Sequence, residues 1–164
     1  MKRALLIVVL LFSLTNPVYA KTVNVVGKIT PKYIESVLRE LEPGDTIHVN
    51  SRGGDVAAAF KLAQFIRKND INIHLHSTGL CRSACVLFFA CGVKRTAGKR
   101  AQFFIHPPIV RETGNPYFAL TFWLYYELIE CGVSPDIKLL PPTRDDVLIV
   151  PYELAGKLNL VNED

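Results

Sequence analysis

An α/β domain with a largely parallel sheet is predicted for this chain of 164 residues, and three observations predict it. Short Val- and Ile-rich runs read as strands. Between them stand segments whose apolar residues recur every three to four positions, as on one face of a helix. The two kinds alternate along the chain, which is the order of strand–helix–strand crossovers and a parallel sheet.

Residues 22–26 alternate and are rich in valine, as a strand requires. Thr30-Pro31 then opens a helix, with Thr30 as N-cap and Pro31 at the first helical position. Ile34, Val37, Leu38 and Leu41 follow at helical spacing. Glu42-Pro43-Gly44-Asp45 is a turn. Residues 46–50 form a second strand and 55–68 a second helix, with Val56, Phe60, Ala63 and Ile66 as its apolar stripe. A third strand covers 71–76. The unbroken apolar segment 83–90 suits a buried strand or a buried helix, and the alternation so far selects the helix. A strand over 101–105, a helix over 117–131 ending at Gly132, and a short last helix over 151–158 complete the chain. No internal repeat, low-complexity tract or linker interrupts 21–164, which is expected to be a single domain.

Residues 1–20 read differently. Lys2 and Arg3 precede a mostly aliphatic stretch from Ala4 to Leu14, and Val18 and Ala20 sit at −3 and −1 of a cut before Lys21. That is the pattern of a cleaved signal peptide, and the apolar stretch is short for a membrane span. The expectation is an exported protein, periplasmic or secreted after cleavage near Ala20. Losing Lys2 and Arg3 lowers the formal charge from +4 to +2, too weak for a nucleic-acid partner. Lys94, Arg95, Lys99 and Arg100 cluster beside a strand, as a solvated loop does. Export permits disulfides, but Cys81, Cys85, Cys91 and Cys131 allow three complete pairings. Their spacing is not that of a zinc site, and neither a metal nor a cofactor is expected.

Three segments fall at carboxyl ends of strands, where open α/β sheets place their sites. In Ser51-Arg52-Gly53-Gly54-Asp55, adjacent glycines uncover backbone N–H groups beside a helix start, which suits an oxyanion hole. A tight turn with Asp55 as helix cap explains the same residues. In Gly79-Leu80-Cys81-Arg82-Ser83-Ala84-Cys85, Ser83 opens a buried helix, as a nucleophile or as an N-cap. His106 stands at a strand end before Pro107-Pro108, as a general base or as a satisfied histidine. His48, His74 and His76 lie within the predicted strands.

Together these segments resemble the proteolytic subunit of the Clp protease. Asn50-Ser51-Arg52-Gly53-Gly54 is similar to its Asn-Ser-Pro-Gly-Gly segment, residues 79–87 to its nucleophile segment, and Phe104-Ile105-His106-Pro107-Pro108 to its Ile-His-Gln-Pro segment. Residues 152–162 resemble its closing helix and Gly-Leu-Val-Asp. The likeness runs from about Val23 to Asn162, and the Cys-x-Ser-Ala-Cys pattern resembles small exported members of the superfamily. It implies the ClpP/crotonase-like fold, a spiral of ββα units, and a serine-type endopeptidase. Carried over, Ser83 matches the nucleophile and His106 the general base. Gly53 and Ala84 match the oxyanion-hole donors. Asp146 matches the acid when counted back from Glu153, and Asp145 when the preceding arginine is matched; Asp136 is a third choice.

Arg52 stands for the usual proline and Pro107-Pro108 for Gln-Pro. The segment that docks an unfoldase is missing, and the helix over 117–131 is shorter than the family's. The implied partners are therefore a peptide or protein substrate and further copies of this chain through that helix, with no ATP-dependent unfoldase. Other readings on the same fold are an inactive binding or scaffold protein, a Ser-Lys peptidase and an acyl-CoA enzyme.

Overall fold

The computed structural model describes residues 20–110, 113–115, 117–139 and 147–163, so most of the leader and both Asp145 and Asp146 lie outside the described residues. β1 (Thr22–Ile29) alternates exposed and buried positions, turning Val23, Val25 and Ile29 inward. α1 (Pro31–Glu40) starts as the sequence predicts, with Pro31 in the first turn and Thr30 Oγ1 accepting the Tyr33 N–H. Tyr33 also reaches back to β1, where its hydroxyl accepts from Val26 N–H and donates to Asn24 O. An aromatic side chain thus occupies backbone groups of β1 that point away from the sheet.

β2 (Thr46–Gly54) leads into α2 (Val56–Lys68), and β3 (Asn72–Leu75) precedes β4 (Leu80–Arg82) and α3 (Ala84–Ala90). β5 (Arg95–Ala97) and β6 (Gln102–Ile105) follow, then α4 (Phe118–Glu130), a 3₁₀ turn (Pro135–Leu139), β7 (Leu148–Val150) and α5 (Tyr152–Lys157). The described strands form one seven-stranded sheet. β1 runs parallel along β2 over the whole of it. β3 pairs with β2 at residues 46–49 and β4 pairs at Ser51, so two branches, β3–β5 and β4–β6–β7, leave β2 one after the other. Every pairing is parallel except β6 with β7. This curled, mostly parallel sheet with flanking helices is the ClpP/crotonase-like α/β architecture that the sequence predicts.

The core lies between the sheet and α2, α3 and α4. Every residue of α3 is buried, and Phe89 meets Phe103 of β6 edge-on with ring centroids 4.8 Å apart. An all-apolar helix needs cover on all sides, and α3 receives it from the sheet, α2 and α4.

Several expectations need correction. β2 continues through Gly54, so residues 51–54 are strand and not a turn beyond it. β4, β5 and β7 have only three residues each, too few for alternation to show. His76 lies one residue past β3. Arg95 is not in a solvated loop: it is 5% exposed, and its guanidinium donates to the carbonyls of Gly92, Asn159 and Leu160. Burial lowers its pKa, and the two acceptors Asn159 and Leu160 tie β5 to the C-terminal segment. The cysteines pair as Cys81–Cys85 and Cys91–Cys131. Among the described residues no helix is long and apolar enough to cross a membrane.

Candidate active site

Ser83 occupies the junction of β4 and α3. Its backbone, with φ 57° and ψ −125°, lies in a region that L-residues adopt only when their surroundings impose it, at a cost of about 1–3 kcal/mol. Among the described residues two other non-glycine residues have positive φ, Asp70 and Asn159, and both are of types that tolerate it. The imposing contacts at Ser83 are visible. Its N–H donates to Phe104 O of β6 at 2.8 Å, and its carbonyl accepts from Val86 N–H at 2.9 Å. By position Ser83 is the N-cap of α3, yet its side chain makes no capping hydrogen bond. Asp55, by contrast, caps α2 by accepting the Ala58 N–H. The hydroxyl of Ser83 is thus not used in the way an N-cap serine uses it.

Gly53 touches this junction. A Cβ built on it would stand 2.9 Å from Ser83 Cβ and 3.2 Å from Ala84 N, and would also collide with the Arg82 carbonyl. With φ +82°, the position excludes other residues on both steric and backbone grounds. Ala84 is the first residue of α3, where no intrahelical carbonyl reaches the N–H. Gly53 N–H is engaged differently from that of Ala84: it donates to Ser51 Oγ at 3.1 Å. Ser51, 1% exposed, donates its own hydroxyl to Gly27 O at 2.7 Å and so anchors the glycine segment to β1. Ser51 is a further structural residue of the site that its neighbours in sequence do not mark, since its hydroxyl bonds to a different strand.

His106 follows β6 and is half-buried. Its Nδ1 lies 2.8 Å from Pro107 O. A carbonyl oxygen only accepts, so Nδ1 carries the proton and the neutral ring presents Nε2 as its basic nitrogen. The Pro107 carbonyl is an orienting partner that the sequence did not reveal.

Ser83, Ala84 and His106 share the wall of one cavity of about 40 Å³. The rest of the wall is mainly apolar, from Val86 and Leu87 of α3 and Leu124, Tyr125 and Leu128 of α4. Burial raises the Tyr125 pKa, which keeps the phenol neutral beside the apolar lining. Gly53 lines a separate, larger cleft of about 640 Å³ with Val26, Lys28, Asn50, Arg52 and Leu80. The fold therefore brings Gly53, Ser83, Ala84 and His106 together. Asp136, in the 3₁₀ turn, is exposed and absent from the cavity wall. Among the described residues no group of three or more His, Cys, Asp or Glu could hold a metal ion.

A hydroxyl at a strained strand–helix junction, a histidine in the same cavity and backbone N–H groups beside them are the parts of a hydrolase site. The family model of the Clp protease matches residues 28–117, more than half of the chain, so the chain belongs to the Clp protease family. The matched span contains Gly53, Ser83, Ala84 and His106 and ends before Asp145 and Asp146. Membership supports a general function, that of a Clp-type peptidase acting on peptide or protein substrates. No curated protein matches the chain.

Proposed function

We propose that the protein is an exported, ATP-independent serine endopeptidase with Ser83 as nucleophile. The observation that carries this reading is a hydroxyl withheld from capping, in a cavity it shares with His106. Ser83 Oγ attacks the scissile carbonyl carbon while His106 Nε2 accepts the hydroxyl proton. The developing oxyanion takes the Ala84 N–H and the Gly53 N–H, the latter exchanging Ser51 Oγ for the stronger, charged acceptor. His106 returns the proton to the leaving amine, and water then releases the acyl group by the same steps in reverse. Asp146, or Asp145 beside it, supplies the carboxylate that steadies the imidazolium.

Export rests on the leader pattern of residues 1–20 and on the two disulfides, which belong to an oxidising compartment. Such a compartment supplies no ATP, so the substrate would be a peptide or an already unfolded chain. A fluorophosphonate probe tests the reading on the purified protein. Labelling of wild type and none of Ser83→Ala is the expected result, with cleavage of unfolded casein falling by about 10⁶ in the variant. An unlabelled wild type, or casein cleavage that survives Ser83→Ala, overturns it and leaves a binding protein on a peptidase fold.

A further inference from the structure

We infer that the Cys81–Cys85 disulfide is a positioning device for Ser83, an inference that rests on the serine-nucleophile reading above. The bridge joins the last strand residues before Ser83 to the first turn of α3 after it, with Cα atoms 5.3 Å apart across four positions. Ser83 is the middle residue of the five that it closes. Both cysteines are 0% exposed, so the bridge is a fixed clamp and not a contact open to reagents on the surface.

The alternative conformation that the clamp opposes is specific. Ser83 is the one positive-φ residue of the described chain that is neither glycine, Asp nor Asn, and its side chain contributes no bond that would hold it there. Released, the junction would relax to the extended backbone usual for an N-cap, and the hydroxyl would turn onto the N–H groups of the first turn of α3. That hydrogen bond would take Oγ away from His106. Fixing Cys81 in β4 and Cys85 in α3 keeps the segment too short to make the change.

A purely stabilising role fits the bridge less well. In the chain-entropy account a disulfide stabilises more as its loop lengthens. Cys91–Cys131, with a sequence separation of 40, ties the end of α3 to the end of α4 and is the bridge suited to that task. The bridge spanning four positions constrains little of the unfolded chain, and what it does constrain is the one strained residue of the site.

Two paired variants, Cys81→Ala/Cys85→Ala and Cys91→Ala/Cys131→Ala, separate the roles. The first is expected to slow fluorophosphonate labelling by about 10², the order that a misplaced reacting group costs, while losing less thermal stability than the second. The second is expected to label at close to the wild-type rate. Amide hydrogen exchange provides a readout independent of catalysis: protection of the Ser83 N–H, bonded to Phe104 O, falls in the first variant and not in the second. If the first variant does not fold, Cys81→Val/Cys85→Ala, which refills part of the space left by the buried sulfur, gives the same comparison of labelling rate and Ser83 exchange. Wild-type labelling without that bridge, or unchanged Ser83 exchange, overturns the inference. A wild type that never labels overturns the serine-nucleophile reading instead, and the exchange data still decide the clamp.

Discussion

Gly53 and Ser83 are packed so closely that a single methyl group on the glycine would come within 2.9 Å of Ser83 Cβ. The contact couples the strand that carries one expected oxyanion donor to the junction that carries the proposed nucleophile. Gly53→Ala must therefore push β4 and α3 away or flip its own backbone from φ +82°. The expected result is a stability loss of about 1–3 kcal/mol from backbone strain alone, with labelling at Ser83 slowed by about 10². Gly44→Ala is the control. Gly44 has nearly the same φ, +83°, but nothing lies within 4 Å of its added Cβ. It should lose stability by a similar strain term and keep its labelling rate. Urea denaturation and probe kinetics on both variants check the pair, and equal labelling losses would show that strain, not the Ser83 contact, matters.

The third member of the site is tested by amide substitution. Asp146→Asn is expected to lower kcat by up to about 10⁴, the largest loss that removing a triad carboxylate's charge brings, and Asp145→Asn by much less. The Pro107 carbonyl already holds Nδ1–H, so the carboxylate's remaining task is to stabilise the imidazolium. A small effect from both substitutions would mean that the carbonyl suffices or that another acid serves. Asp136→Asn should be silent, since Asp136 is exposed and its segment contributes nothing to the cavity wall.

The parts legible in sequence were those with a local signature. Thr30-Pro31 and Asp55 marked helix starts because capping depends on a few adjacent residues, and both bonds exist. The segments around Gly53, Ser83 and His106 were legible as strand ends, and the fold brings them to one place. What could not be read depends on distant partners. The burial of Arg95 needs carbonyls more than sixty positions away. The choice among three cysteine pairings needs the α3–α4 contact. Three-residue strands such as β4 exist only because a neighbour supplies the ladder. Ser51 was hidden for the same reason, since its task is defined by Gly27 O on another strand.

Stability should depend on pH through His74. Its side chain faces His48 across β2 and β3, with ring centroids 5.0 Å apart, and His76 along its own segment at 6.4 Å. Its Nδ1 lies 2.8 Å from Thr96 Oγ1. Burial lowers its pKa from 6.5, and the charges of His48 and His76 lower it further. The unfolded chain therefore binds a proton at pH 6.5 more readily than the native state does. Stability is expected to be full above that pH and to fall as pH drops below about 6.5. His74→Gln should flatten this part of the profile, as measured by urea midpoints between pH 5 and 8. An unchanged slope in the variant would assign the dependence to another group.

Assembly is tested on α4. Its buried positions are Thr121, Tyr125 and Leu128, so one face of the helix packs on its own protomer, as a chain with a single core allows. Phe118, Phe122 and Tyr126, each four residues from the next, are 56%, 73% and 58% exposed and form an aromatic stripe along the flank of the helix beside its buried face. Aromatic residues are enriched in protein interfaces, and a stripe of this kind is an apolar patch that marks an interaction site. A homo-oligomer with this stripe at the contact is the expected state. Trp123 is a poor probe of it: the ring packs edge-on against Phe60 of α2 at 4.7 Å, so Trp123→Glu would weaken the protomer itself. Phe122→Glu leaves the core untouched and places a charge in the contact, where an unpaired ion costs several kcal/mol. Sedimentation velocity at micromolar concentration should show the wild type assembled and Phe122→Glu reduced to the monomer. Unchanged thermal unfolding of diluted monomer would confirm that the protomer is intact. A wild type that sediments as a monomer without detergent would refute self-association and leave the stripe to a membrane surface or another protein. The basic face that membrane-surface helices carry is missing here, since Glu127 and Glu130 are the charged residues of α4, and vesicles of anionic lipid would separate those two outcomes.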